Sequence, residues 1–408
     1  MKTLLIVGKN FSGLKKQILL MGYDYVLLQD IKATKFPNKK LNKRVIADFS
    51  DATSLLNSVE SIDKKIDGVL TIYENYVVAT AIIADHLGLP GMSIESAIAC
   101  TDKYIMRSLF ANSPKKISPD FAEVKIWEDA VNFANNHDFP IILKPANLAK
   151  SLLVFKNHTI EELEVNFKKM TSSINEVYAK YSPLNSPKIV IEEFMEGPIH
   201  SVDAFVDAKG FPHVLEQVVD YQTGYDIGYD DNFHYSRILP SELSRTEIAS
   251  IRDTASMGCQ ALGMKSSPAH IEIIRTKSGP MIVEIGARNG GYRERMYSLA
   301  NGINTVANAI NLALNRPLSL ESTKNEACAV LELFPKEKGI FKGIKNEETL
   351  KNLHSLNYYA VKQKIDTIVG KSSDGFKMCS IIILHNNNSE KFRQDLEYIN
   401  QNVSVLIT

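Results

Sequence analysis

The segment Pro280 to Gly291, Pro-Met-Ile-Val-Glu-Ile-Gly-Ala-Arg-Asn-Gly-Gly, constrains this chain more than any other. Met281 to Ile285 is a short apolar run carrying one acid, Glu284, and it breaks into a glycine-rich loop holding Arg288. Just upstream, Ala269 to Ile274 reads as a second strand with its own acid, Glu272, and Ser278-Gly279 supplies a turn between the two. If these strands pair, both carboxylates reach one side and can share a divalent cation, because magnesium takes oxygen ligands from carboxylates and substrate phosphates. Arg288 offers a planar, permanently charged fork for a phosphate or a carboxylate. An acid in an apolar strand is costly unless something pairs with it. Either acid alone is adequately explained as a solvent-facing residue of a half-buried sheet; the rest of the chain decides between the two readings.

Lysine and glutamate recur in the same unusual setting elsewhere. Phe139 to Pro145 places Lys144 after three consecutive large aliphatics and before a proline, so the lysine needs an anionic partner or an exit to water. Ile189 to Phe194 ends an apolar strand in Glu192-Glu193. After Gly88-Leu89-Pro90-Gly91, Ser93 is placed to cap one helix and Thr101 a second, which puts Lys103 at a helix N-terminus; there a cation is disfavoured unless an anion joins it. A strand is expected at Ser151 to Phe155, and the tyrosine-rich stretch 221–232 reads as a mobile loop.

The first 90 residues alternate strand and helix patterns, implying a parallel sheet with right-handed crossovers. Gly8 to Gly13 resembles half of a dinucleotide fingerprint but lacks its third glycine, so a structural turn is expected there rather than NAD binding. At 408 residues, two or three domains are expected. The 47 basic and 47 acidic residues balance, which gives no support for a nucleic-acid partner. Four scattered cysteines without CxxC read as buried thiols of a reducing compartment. The apolar N-terminal run is too short for a signal peptide or a membrane span, so no membrane partner and a cytoplasmic location are expected.

Taken in order, these segments resemble the ATP-grasp superfamily, and within it the carboxylate–amine ligases of the L-amino-acid ligase type. The resemblance runs from the N-terminal sheet to about residue 317. It implies an α/β fold, α+β in parts, with three units: a Rossmann-like parallel-sheet domain over 1–90, a two-lobed nucleotide domain over 91–317 whose lid covers about 115–195, and a small α+β domain over 318–408. It implies ATP and Mg2+ (or Mn2+) as cofactors, with Lys103 and Lys144 on the phosphates and Glu192, Glu193, Phe194 and Met195 at the adenine. Glu272 and Glu284 would be the metal acids and Arg288 the catalytic arginine, with Lys144 assisting.

The pattern departs from the family in three places. The glycine-rich lid loop is here Asn147-Leu148-Ala149-Lys150-Ser151-Leu152, so Lys150 or Ser151 would stand in at the phosphates. The acid that meets the ribose falls near Ile199, leaving Glu196 or His200. The asparagine expected two places after Glu284 is Gly286. The implied chemistry is acyl-phosphate formation from a small-molecule carboxylate, followed by attack of an amine, with loops 146–151 and 221–232 as candidate lids. Arg293 and Arg295 are candidate clamps for a substrate carboxylate, His234 and His270 candidate substrate contacts, and a homodimer is the default assembly. A carboxylase, a nucleotide-biosynthesis ligase, and an ATP-binding protein without turnover are the alternatives.

Overall fold

The computed structural model describes residues 1–9, 11–34, 43–148, 152–181 and 185–408. Lys150 and Ser151, proposed at the lid, lie outside the described residues.

The chain opens with four parallel strands, β1 (Thr3–Val7), β2 (Asp24–Asp30), β3 (Arg44–Ala47) and β4 (Gly68–Leu70), in the order β3-β2-β1-β4. β1 is buried along its whole length, as a parallel strand covered on both faces must be. One face packs on the helices Ala52–Glu60 and Val77–His86. The other packs on Ser12–Leu20 and on Thr305–Ala313, a helix from more than 200 residues downstream. Gly8 is a structural turn: a Cβ there would sit 2.3 Å from the Tyr76 ring, and its φ is +113°.

Ser93 caps the helix Ile94–Ala99. Thr101 does not cap the next one. Asp102 does, accepting from the backbone N–H groups of Tyr104 and Ile105, while the Thr101 hydroxyl turns back onto the Ala97 and Ile98 carbonyls. A carboxylate is the stronger cap and brings negative charge to a helix start that also carries Lys103.

A second, antiparallel sheet holds β5 (Phe121–Val124), β6 (Ile141–Pro145), β7 (Phe155–Asn157) and β8 (Ile189–Glu193) in the order β5-β8-β6-β7, with the long helix Ile160–Tyr181 against it. The strand expected to start at Ser151 begins only at Phe155. Leu152 and Leu153 form a turn instead, with Leu153 at φ +55°.

The largest sheet has eight strands. In chain order they are β9 (Ile199–Val206), β10 (Pro212–Thr223), β11 (His234–Leu239), β12 (Ser267–Thr276), β13 (Gly279–Gly286), β14 (Ala327–Leu333), β16 (Leu356–Val361) and β18 (Ser380–Asn386). Their spatial order is β13-β12-β9-β10-β11-β14-β18-β16. β15 (Gly339–Ile344), β17 (Ile368–Val369) and β19 (Val405–Ile407) form a small third antiparallel sheet. Three strands from beyond residue 318 therefore continue the sheet that carries Glu272 and Glu284. One face of β9, β12 and β13 is apolar (Val202, Ala204, Ile271, Ile273, Ile282, Ile285) and packs under the helix Arg245–Ala261. The opposite face carries the polar residues described next.

The stretch 221–232 is not a free loop. Tyr221 to Thr223 end β10, Asp226 accepts from both the backbone and hydroxyl of Thr223, and the Gly224 amide donates to the Phe233 carbonyl. Asp231 then accepts from the backbone amides of Ser372 and Ser373. These polar residues form the β10–β11 connection over 224–233, which is pinned to the C-terminal region.

Candidate active site

Strand alternation builds the centre of the site. β12 and β13 pair with Glu272 directly opposite Glu284, and β9 pairs on the other side with Ser201 opposite Glu272 and Asp203 opposite His270. Directly paired residues share a face, so Ser201, Asp203, His270, Glu272 and Glu284 all point to the same side. Facing acids on adjacent strands repel unless cations attend them.

Those cations are present. Lys103 reaches from the helix Lys103–Phe110 to within 3.0 Å of Glu284 and also donates to the Leu148 carbonyl. Lys103 holds the Glu284 carboxyl below its usual range, overriding burial and the neighbouring Glu272. Burial pushes the Glu272 carboxyl up, but His270 and His234 outweigh it and keep it ionised. His270 stands between two acids, 3.1 Å from Asp203 and 3.6 Å from Glu272, and their charge raises its imidazole above the ordinary value in spite of burial.

Arg288 follows β13 and meets a carboxylate absent from the sequence-based candidates, Glu74, at 3.0 Å. Glu74 lies just past the C-terminal end of β4, where open parallel sheets place ligand-binding groups. Burial pushes its carboxyl up, opposed by Arg288. Asp203 is a second such group. Its carboxylate takes the His270 ring, the Gly290 amide and the Tyr297 hydroxyl, and lies 3.5 Å from Arg293. Gly290 is required here, since a Cβ would come within 2.4 Å of the His270 ring.

Lys144 lies on β6 and is buried. Its ammonium is 2.6 Å from Glu192, which a fully buried arginine, Arg107, also engages through Nε at 3.1 Å. Burial, with Arg107 and Lys103 adding repulsion, pulls Lys144 down to about 8 against the attraction of Glu192. Burial would raise the Glu192 carboxyl; Arg107 and Lys144 hold it down instead.

The remaining candidates scatter. Arg293 is buried behind the acids, bonded to Ser201 and Tyr221, and so supports the site from beneath. His234 packs edge-on against Tyr221 and is held below its ordinary pKa by burial, with Glu272 opposing. Phe194 and Met195 are half-buried, with the Lys156 ammonium 3.8 Å from the Phe194 ring centroid. Three groups are not brought to the acids. Glu193 alternates to the other face of β8 and bonds Lys116 and the Asp120 amide. His200 alternates to the other face of β9 and pairs with Asp220 at 2.8 Å. Arg295 turns outward to Asn357 and the Tyr358 ring.

The donor set suits a hard divalent cation: two ionised carboxylates on one face, neither fully enclosed, with side chains 19% and 33% exposed. Lysines and an arginine around them suit a polyphosphate. Among the described residues, no helix is long and apolar enough to cross a membrane.

The chain is similar to known proteins in sequence and in fold. Residues 137–295 match the ATP-grasp domain family model. The chain is 23% identical over 355 residues to an L-arginine-specific L-amino acid ligase of Bacillus subtilis, covering 85% of this chain and 82% of that one. It is 22% identical over 321 residues to an uncharacterised protein of Sinorhizobium fredii, covering 78% of this chain but only 61% of that one. The crystal structure of an L-amino acid ligase from Bacillus licheniformis superposes with a TM-score of 0.79 at 19% identity, covering 100% of this chain and 99% of the other. With its strands, its paired acids and its sequence all pointing one way, the chain carries an ATP-grasp domain.

Proposed function

We propose that the protein is an ATP- and magnesium-dependent ligase that activates the carboxylate of an amino acid as an acyl phosphate and joins it to an amine, releasing ADP and phosphate. The observation that carries this reading is the pairing of Glu272 with Glu284 on one face, with Lys103 and Arg288 beside them. The kinship to the B. subtilis amino acid ligase over most of both chains supports the substrate class.

Glu272 and Glu284 would hold the metal, which when bound neutralises phosphate charge and orients the γ-phosphoryl group. In the first step a substrate carboxylate oxygen bonds to the γ-phosphorus and the bond to the ADP oxygen breaks. Lys103 and Lys144 attract the phosphate oxygens from two sides. Arg288, kept in place by Glu74, donates to the transferring phosphoryl group. In the second step the amine nitrogen bonds to the acyl carbon, giving up a proton, and phosphate leaves with its bridging oxygen. The same arginine then faces the oxyanion of the tetrahedral intermediate. Asp203 holds the His270 ring that braces Glu272, so the acid is held in one orientation before ligands arrive.

The deciding experiment measures ADP release from magnesium-ATP with single amino acids, pairs of them, and hydroxylamine as a generic amine. Acid-dependent release that vanishes in Glu284→Ala and Arg288→Ala supports the ligase. Nucleotide binding without release under any acid overturns it.

A further inference from the structure

Arg107 is among the largest fully buried side chains of the described residues, and its bonds join three separate elements. It leaves the helix that begins at Lys103, grips Glu192 on β8 through Nε and Nη2 at 3.1 and 3.4 Å, and donates Nη2 to the Val283 carbonyl at 2.6 Å. Val283 is the β13 neighbour of Glu284. The third nitrogen, Nη1, is buried without a hydrogen-bond partner.

The charges around Lys144 do not balance. Glu192 faces it from β8, while Arg107 and Lys103 face it from the helix. Lys103 is matched by Glu284 on β13. That leaves one carboxylate, Glu192, between two buried cations, Arg107 and Lys144. Excess charge out of water is unfavourable unless an anion offsets it. A buried positive excess with an unused N–H donor beside it is a device for attracting phosphate.

We propose, resting on the nucleotide site read above, that Arg107 is a positioning residue for Lys144. By claiming the Glu192 carboxylate from behind, it leaves Lys144 free to be neutralised by a nucleotide phosphate, and through Val283 it registers that lysine against the strand of Glu284. Arg107 acts through Lys144 and Glu192 and does not itself belong to the reacting groups.

The consequence is a particular pH signature. Phosphate binds the protonated lysine, so affinity falls once the pH exceeds the value of about 8 at which free Lys144 loses its proton. Removing Arg107 weakens the attraction for phosphate but lets Lys144 keep its proton to higher pH. Affinity and pH onset therefore move in opposite senses, which a general loosening of the fold would not produce.

The test is calorimetric binding of magnesium-ADP to the full chain from about pH 7 to about pH 10, above the last phosphate ionisation near 6. In Arg107→Gln, affinity at the lower end falls on the order of tenfold, while the alkaline decline starts about one pH unit higher than in wild type. Glu192→Gln moves the onset in the opposite direction, and Arg107→Lys, which keeps the charge, leaves it near the wild-type position. Thermal melts accompany each variant. If Arg107→Gln does not fold, the other two decide: an unmoved onset in Glu192→Gln overturns the proposal. Equal weakening by Arg107→Gln at every pH overturns it as well. Wild type that binds no ADP removes the nucleotide site itself, whereas binding with an unmoved onset removes only the role of Arg107.

Discussion

The carboxylate of Glu74 lies 3.0 Å from Nε of Arg288, so a residue just past the N-terminal sheet holds the arginine that follows β13. Both side chains are about three-quarters buried, and a second ion pair, Lys103 with Glu284 at 3.0 Å, involves the strand that Arg288 follows. A mobile arginine would lose rotamer freedom on every catalytic cycle; this one has already lost it.

Replacing Glu74 with Gln keeps the shape and removes the charge. The expected result is a fall in kcat of about ten- to a hundredfold, the worth of a charge-assisted hydrogen bond of about 1.5–3 kcal/mol, with nucleotide affinity changed much less. Steady-state ADP release against calorimetric ADP binding separates the two.

Removing divalent metal with a chelator should abolish acid-dependent ADP release, and magnesium or manganese should restore it. Glu272→Ala and Glu284→Ala should raise the metal concentration needed for half-maximal rate. Measured metal titrations that coincide with wild type would remove these carboxylates as ligands.

His200 and Arg295 provide the opposite kind of test. His200 lies behind β9 with Asp220, and Arg295 rests on the surface beside Asn357. His200→Phe should lower the melting temperature without altering the KM for ATP, and Arg295→Ala should do little to either. Arg293→Ala leaves Asp203 its His270 partner but removes a second cation and the donor to Ser201 and Tyr221, and should destabilise the chain by about 1.5–3 kcal/mol, read by denaturant unfolding.

Stability should also depend on pH through Asp24 at the start of β2. Lys43 and then Lys64 hold its carboxyl well below the usual 3.8. A depressed folded-state pKa contributes stability that is present above the unfolded value of about 4 and is lost as the pH falls towards the folded one. Both lysines are more than a third exposed, so the gain is under about 1 kcal/mol per pair. The unfolding free energies of wild type and Asp24→Asn should differ by a constant amount above about pH 5 and converge as the pH is lowered towards about 2.

Much of this site was legible because charged residues in apolar strands are rare and costly, and Lys144, Glu192, Glu272 and Glu284 all announce themselves that way. Asp203 carries the same mark, an acid inside Ser-Val-Asp-Ala-Phe-Val, and was available to the same reasoning. Arg107 sits one helical turn after Lys103, so helix spacing already put both on one face. Glu74 had no comparable signal: its partner is more than 200 residues away, and only the packing of the N-terminal sheet brings them together. Glu193, His200 and Arg295 lie away from the paired acids for one reason. Each is one or two residues from a group that does face that cluster or Lys144, and alternation along a strand, or rotation around a helix, sends nearby side chains in different directions.

The strand pairing of β11 with β14 has a meaning for how this chain can be altered. A cut near residue 317 would not detach an accessory module. It would strip a neighbour from β11 and leave a bare row of amides and carbonyls three strands from Glu272. The C-terminal quarter is therefore not a cassette that recombination can exchange freely. Any replacement would have to supply a strand of matching register, and with it a residue to stand where Glu332 now receives the Tyr292 hydroxyl.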